Sequence, residues 1–181
     1  MKHIFLVDFE NVHTGGLKGT KLLSDDDELI IFYSENDTDS IDFIRELRDD
    51  IQYAKIVKNG QNALDFQLSS YLGFIVHKAV CDDILENTQF VIVSKDSGFD
   101  CVAGFWKNTP FVRHLKINPD IIRADNIQAA LTTDKTNIDE IIKTSETLND
   151  FHSTVVKKYG MPLGGTIYNE NKAKFKEIHN L

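Results

Sequence analysis

Cysteine is scarce in this chain of 181 residues: Cys81 and Cys101 are its only two. Neither belongs to a Cys-x-x-Cys pair, so nothing supports a disulfide framework or a structural zinc. No apolar run approaches the roughly 20 residues needed to span a bilayer. The N-terminus has neither a basic n-region nor a small-residue cleavage site, so no signal peptide is expected and the simplest location is the cytoplasm. The Gly-x-x-x-x-Gly-Lys and Gly-x-Gly-x-x-Gly loops that cradle nucleotide phosphates are missing. His13, His77 and His114 have no partners at metal or triad spacing and receive no catalytic role. A net charge of -8 argues against a broadly basic nucleic-acid coat. It leaves open a site where acids gather around a cation.

What is present is the material of a packed domain. Hydrophobic residues make up 41% and charged residues 27%, which excludes general disorder. Charge is uneven along the chain. Residues 151–181 hold Lys157, Lys158, Lys172, Lys174 and Lys176 against Glu170 and Glu177, a net of +3, which leaves -11 for residues 1–150. That asymmetry predicts two functional parts, 1–131 and a helical, lysine-containing extension over 132–181.

Short apolar runs read as buried strands: "HIFLV" (3–7), "ELIIFYS" (28–34), "QYAKIV" (52–57), "QFVIVS" (89–94) and "FVRHL" (111–115). Between them, residues 39–50, 62–80 and 98–107 carry apolar side chains at helical spacing. This alternation predicts an α/β domain with a mainly parallel sheet. Beyond it, "TTDKTN" (132–137) reads as a linker and Asn137 with Glu140 as a capping-box helix start. Two further helices follow over 150–160 and 166–178, with a turn at "MPLGG". In open parallel sheets ligands bind beyond the carboxyl ends of the strands, so the residues there matter most.

Asp8, Glu10 and Asn11 follow the first strand. Asp65 falls in the first turn of the helix after the third, and Asp96 and Asp100 follow the fourth. A helix starting near Ser97 or Gly98 would bring Asp96 and Asp100 together. Taken singly, each acid reads equally well as a turn or N-cap residue. As a set, Asp8, Asp65, Asp96 and Asp100 face one sheet edge, where their mutual repulsion calls for a divalent cation. Hard oxygen donors suit Mg²⁺ or Mn²⁺, and helix N-termini under Asp65 and Asp100 would help to keep those carboxylates ionised. Lys58 and Lys95 are candidates for phosphate contacts, and Asn62 and Asn36 for a sugar or base. Phe9, Phe99 and Tyr33 are candidates for base stacking, against the commoner core role of aromatics beside strands. Phe105 and Trp106 are assigned to packing, and the acids at 25–28, 49–50 and 82–83 to solvation.

"FLVDFENV", "NALDFQLSSYLG" and "IVSKDSGFD" together resemble the PIN-like nuclease superfamily, closer to its NYN-type branch than to the small toxin PINs. The resemblance covers about residues 3–131. It rests on an apolar strand ending in Asp8-x-x-Asn11, the helix-borne Asp65, and Ser94 with Asp96 and Asp100. It implies a Rossmann-like domain with a five-stranded sheet in the order 3-2-1-4-5, and metal-dependent hydrolysis of phosphodiesters, usually of RNA. By the same resemblance Asn11 would orient Asp8 or the attacking water, and Ser94 and Ser97 would hydrogen-bond a carboxylate or phosphate. Glu10 stands outside the pattern. It is either a fifth ligand or the first solvated residue after the strand.

The alternatives belong to other classes. One is a catalytically silent scaffold or regulatory subunit of a nucleic-acid-processing or defence complex. Another is an aspartyl phosphatase of HAD-like type, for which Asp8-Phe9-Glu10 carries Glu where a shorter Asp is needed. A receiver-like module would need an acid pair and a lysine after the last strand, and only Lys116 stands there. The 132–181 segment is read as a guide for polynucleotide, a helical cap, or a contact for a homodimer or protein partner.

Overall fold

The computed structural model describes residues 1–45, 48–57, 60–109, 112, 114–125, 127, 135–161 and 163–180. Five strands, β1 (Lys2–Asp8), β2 (Glu28–Tyr33), β3 (Gln52–Lys55), β4 (Thr88–Val93) and β5 (Leu115–Asn118), form one sheet in the order β3-β2-β1-β4-β5. Every pairing is parallel. β1 and β4 are central and covered on both faces, which is why "HIFLV" and "QFVIV" are unbroken apolar runs rather than alternating ones. The chain goes outward from β1 to β3, then returns to β4 on the other side of β1. The β1–β4 junction is therefore the switch point, where the loops diverge and leave a crevice.

Helices cover both faces. α1 (Phe9–Gly16) and α2 (Thr38–Ile44) pack Phe9, Val12, Ile41 and Ile44 against Phe5, Val7 and Val93. α3 (Ala63–Cys81) and α4 (Phe99–Lys107) pack Leu64, Leu68, Leu72 and Phe99 against Ile4, Leu6 and Ile92 on the opposite face. Three more helices, α5 (Lys135–Thr144), α6 (Leu148–Tyr159) and α7 (Leu163–Ile178), share a core around the stacked rings of Phe151 and Phe175, with centroids 5.5 Å apart. Leu22 and Ile122 pack against both this core and the α1 side of the sheet, joining the two.

Several elements differ from their predicted bounds. The fifth strand begins at Leu115, where "FVRHL" ends. Its first ladder bond runs from Phe90 N–H to His114 O, at 2.8 Å. It is an edge strand, half-buried along its length, so apolarity marks it poorly. α2 ends at Ile44, well short of residue 50. α5 starts at Lys135 rather than behind an Asn137 cap. α7 starts at Leu163, so the glycines of "MPLGG" are helical. Gly164 is needed there because a Cβ would stand 2.5 Å from Val156 Cα on α6. Gly160, at φ 72, closes α6 as expected, its N–H donating to Val156 O at 2.8 Å. The expected end of the α/β part at residue 131 lies outside the described residues.

Candidate active site

Asp8 is the last residue of β1 and the N-cap of α1, and it is 4% exposed. Its cap role and its place in the crevice are compatible. Oδ1 accepts the Asn11 N–H at 3.3 Å, while Oδ2 accepts the Ser94 hydroxyl at 2.8 Å. Ser94 follows β4 directly. The register that pairs Val7 with Val93 brings it level with Asp8. Ser94 Oγ in turn accepts the Asp96 N–H at 3.0 Å. Asn11 closes a second link across the junction, its Oδ1 accepting the Lys95 N–H at 2.8 Å. Two polar bridges thus hold the β1 and β4 exits together.

These residues open onto a cleft of about 240 Å³ lined, among the described residues, by Asp8, Glu10, Asn11, Gly60, Asn62, Ala63, Leu64, Asp65 and Asp96, none of them basic. Burial, with added repulsion from Asp65 and Glu10, lifts the Asp8 carboxyl to about 6 against the hydrogen bonds from Ser94 and Asn11. Asp65 is raised too, first by burial and then by Asp96 and Glu10. Asp65 thus stands raised despite its place in the first turn of the helix.

Asp96 lies outside α4, which begins only at Phe99, so the helical i, i+4 relation to Asp100 does not arise. Instead Asp96 Oδ1 accepts the Gly98 N–H at 2.7 Å. Asp100 is exposed in the first turn of α4 and does not line this cleft. Ser97 is exposed, its carbonyl accepting the Asp100 N–H at 3.0 Å. Lys95 is exposed at the junction, and Asn62 lines the cleft. Lys58 lies outside the described residues. Asn36 does not line the cleft. Phe9, Phe99 and Tyr33 are buried at 1%, 2% and 7% exposure, so they belong to the core and are not available for stacking. Phe105, assigned to packing, is exposed. Glu10, left open by the sequence, turns into the cleft because α1 starts at Phe9 and ends the strand alternation there.

The chain holds a larger hollow, of about 600 Å³, between Lys18, the Asp120–Arg123 turn and helices α5 and α7. Its charges are mixed and partly paired, as in Lys174–Asp139 at 2.7 Å. Its acids, Asp120, Asp139 and Glu170, share it with Lys18, Arg123 and Lys174, unlike the acids that line the smaller cleft.

The PIN domain family matches residues 2–114. The chain belongs to the PIN domain family. PIN domains are generally nucleases and typically use divalent metals, and membership points to nucleic acid as the partner. No curated protein and no solved structure gives a match. Among the described residues no helix is long and apolar enough to cross a membrane.

Among the described residues, the cleft of this PIN domain suits a hard cation in its donors: carboxylate oxygens, no sulfur or imidazole, and a buried Asp8 whose charge no basic lining group offsets. Among the described residues no three acids already stand close enough to share one ion. Mg²⁺ tolerates that, since it keeps several waters and takes one or two carboxylates together with substrate phosphate. Asp8, Asp65 and Asp96 are the residues that would hold it, with Glu10 beside them.

Proposed function

We propose that this PIN domain is a divalent-metal-dependent endoribonuclease of NYN type, cutting single-stranded or structured RNA in preference to DNA. The observation that carries the reading is the buried Asp8, bonded to Ser94 across the β1–β4 junction, in a cleft walled by Glu10, Asp65 and Asp96. When bound, Mg²⁺ or Mn²⁺ supplies charge neutralisation and Lewis-acid activation for phosphodiester hydrolysis. The chain's own residues do the rest. Ser94 and the Asn11 N–H fix the Asp8 carboxylate and favour its ionised form. The Asn11 amide holds the Lys95 backbone, and with it the β4 exit. Gly98 N–H fixes the Asp96 carboxylate. Asn62 and Lys95 are the substrate-facing polar groups in this reading, Lys58 is assigned to phosphate by its place in the sequence, and Ser97 and Asp100 are assigned by family pattern to substrate and metal contacts.

The same reading divides the protein into a nuclease part, 1–131, and an extension, 132–181, that serves a homodimer or protein partner, and it places the protein in the cytoplasm. The experiment is cleavage of single-stranded RNA with Mn²⁺ and with Mg²⁺ by the wild type, Asp8→Asn and Asp96→Asn. Metal-dependent cutting lost in both variants supports the proposal. Cutting that survives both substitutions points to a contaminant, and no cutting leaves the silent scaffold.

A further inference from the structure

Phenylalanine is buried along β1, β2 and β4, but Phe66 is 69% exposed in the first turn of α3. It follows Asp65, about 100° further around the helix, and stands one turn on from Asn62; those two residues line the acidic cleft. Val57 is 92% exposed. The Val57 N–H donates to Gln67 Oε1 at 3.0 Å and ties the chain leaving β3 to the same helical turn. The ring is carried on ordered backbone: Phe66 N–H donates to Asn62 O at 3.1 Å, and the Ser70 hydroxyl donates to Phe66 O at 2.7 Å. Asn62 sits at the N-cap position of α3 with φ 56, and its side chain caps nothing. Its amide therefore lies on the cleft wall free of the helix.

An exposed phenylalanine forgoes the burial a core ring gains, and here one follows directly on an acid of the cleft. A broad protein interface is a poor fit beside a cleft of four acids. Phe74, two turns further along α3, leans toward Tyr71 at 5.8 Å instead. We propose that Phe66 is a base-stacking platform: it takes a nucleobase from a single strand whose phosphate lies among Asp8, Asp65 and Asp96. This rests on the nuclease reading for the placement of the phosphate. A π-face accepts any base, so the platform selects for unpaired strands rather than for sequence. Bases stacked within a duplex cannot reach it.

The test uses the full chain carrying Asp8→Asn, and a single-stranded oligoribonucleotide with one 2-aminopurine, whose fluorescence falls on stacking. Adding Phe66→Ala should weaken binding roughly 5- to 100-fold and abolish the quench. Phe66→Trp should restore both, and Phe74→Ala, at a residue also exposed on α3, should change neither. In the chain with Asp8 intact, Phe66→Ala should raise KM and leave kcat within about twofold, as expected for lost binding rather than lost chemistry. If that chain cuts RNA and Phe66→Ala is silent in both assays, the platform is wrong and the nuclease reading stands. If nothing is cut but the quench still depends on Phe66, the platform stands and the nuclease reading falls. If no single strand binds, both fall.

Discussion

Two aspartates sit at opposite ends of the sheet, equally buried and oppositely shifted. Asp27 precedes β2 at the amino edge and is 3% exposed; Asp8 ends β1 at the carboxyl edge and is 4% exposed. Burial alone would raise both. Asp27 accepts from the His3 N–H at 2.9 Å, the Ser24 N–H at 3.0 Å and the His3 ring at 3.2 Å. Those bonds overturn its desolvation and bring it down to about 2. Asp8 has one short bond from Ser94 and one long one from Asn11, and it faces Asp65 and Glu10, so burial wins and it stands at about 6. Equal burial therefore does not make equal sites. Asp27 is completed by the fold, whereas Asp8 keeps a charge that only a proton or an added cation relieves.

The comparison breaks most sharply at Asp8 itself. Asp8→Asn should cut RNA cleavage by about 10²- to 10³-fold or more, the scale of losing one charge-stabilising group. The same change should make the metal-free protein more stable by up to roughly 3 kcal/mol above pH 6. The sign follows from proton binding. Native Asp8 holds its proton more tightly than the unfolded chain, so stability falls as pH rises from about 4 through about 6. Urea midpoints between pH 4 and 8, with chelator, should show that fall in the wild type and a clearly smaller one in Asp8→Asn, where Asp65 is still raised. Adding Mn²⁺ should raise the wild-type midpoint alone.

At the other end the sign reverses. Asp27 holds its proton less tightly when folded, so its contribution is complete above about pH 4 and lost as pH falls towards 2. Asp27→Asn should cost roughly 2–3 kcal/mol at neutral pH, read by thermal melting, and leave cleavage per folded molecule intact. An Asp27→Asn that is neutral in stability would end the contrast. Ser94→Ala comes next: it removes the short bond to Asp8 and should lower activity roughly 10- to 100-fold, as loss of a ligand-orienting group does, with the acid limb of the pH–rate profile moved up. Glu10→Gln is the mildest. Removing one of the repelling charges should move that limb down by a fraction of a pH unit and lower metal affinity only slightly.

The three inner apolar runs, β1, β2 and β4, and the Asp8, Asp65 and Asp96 positions were legible because buried parallel strands and their exits leave local marks. β5 was displaced by four residues because a half-buried edge strand with Lys116 and Asn118 carries no such mark. Asp27 read as solvation because its partner, His3, is 24 residues away. The stacking candidates failed for a related reason: Phe9 and Phe99 follow strands, but each is the first residue of a helix that lays it back on the sheet. Phe66 hid inside the apolar pattern of α3, where exposure is a matter of helical phase and of what packs alongside.

The Ser94–Asp8 bond joins residues 86 apart in the chain. During synthesis that separation becomes a delay. A nascent chain reaching residue 90 already carries Asp8, Glu10 and Asp65, yet has neither the hydroxyl that fixes Asp8 nor Asp96. The cleft is completed only when β4 pairs with β1, a long-range step in a parallel sheet and hence a slow one. On the nuclease reading proposed above, the chain stays unarmed until Ser94 and Asp96 have been made.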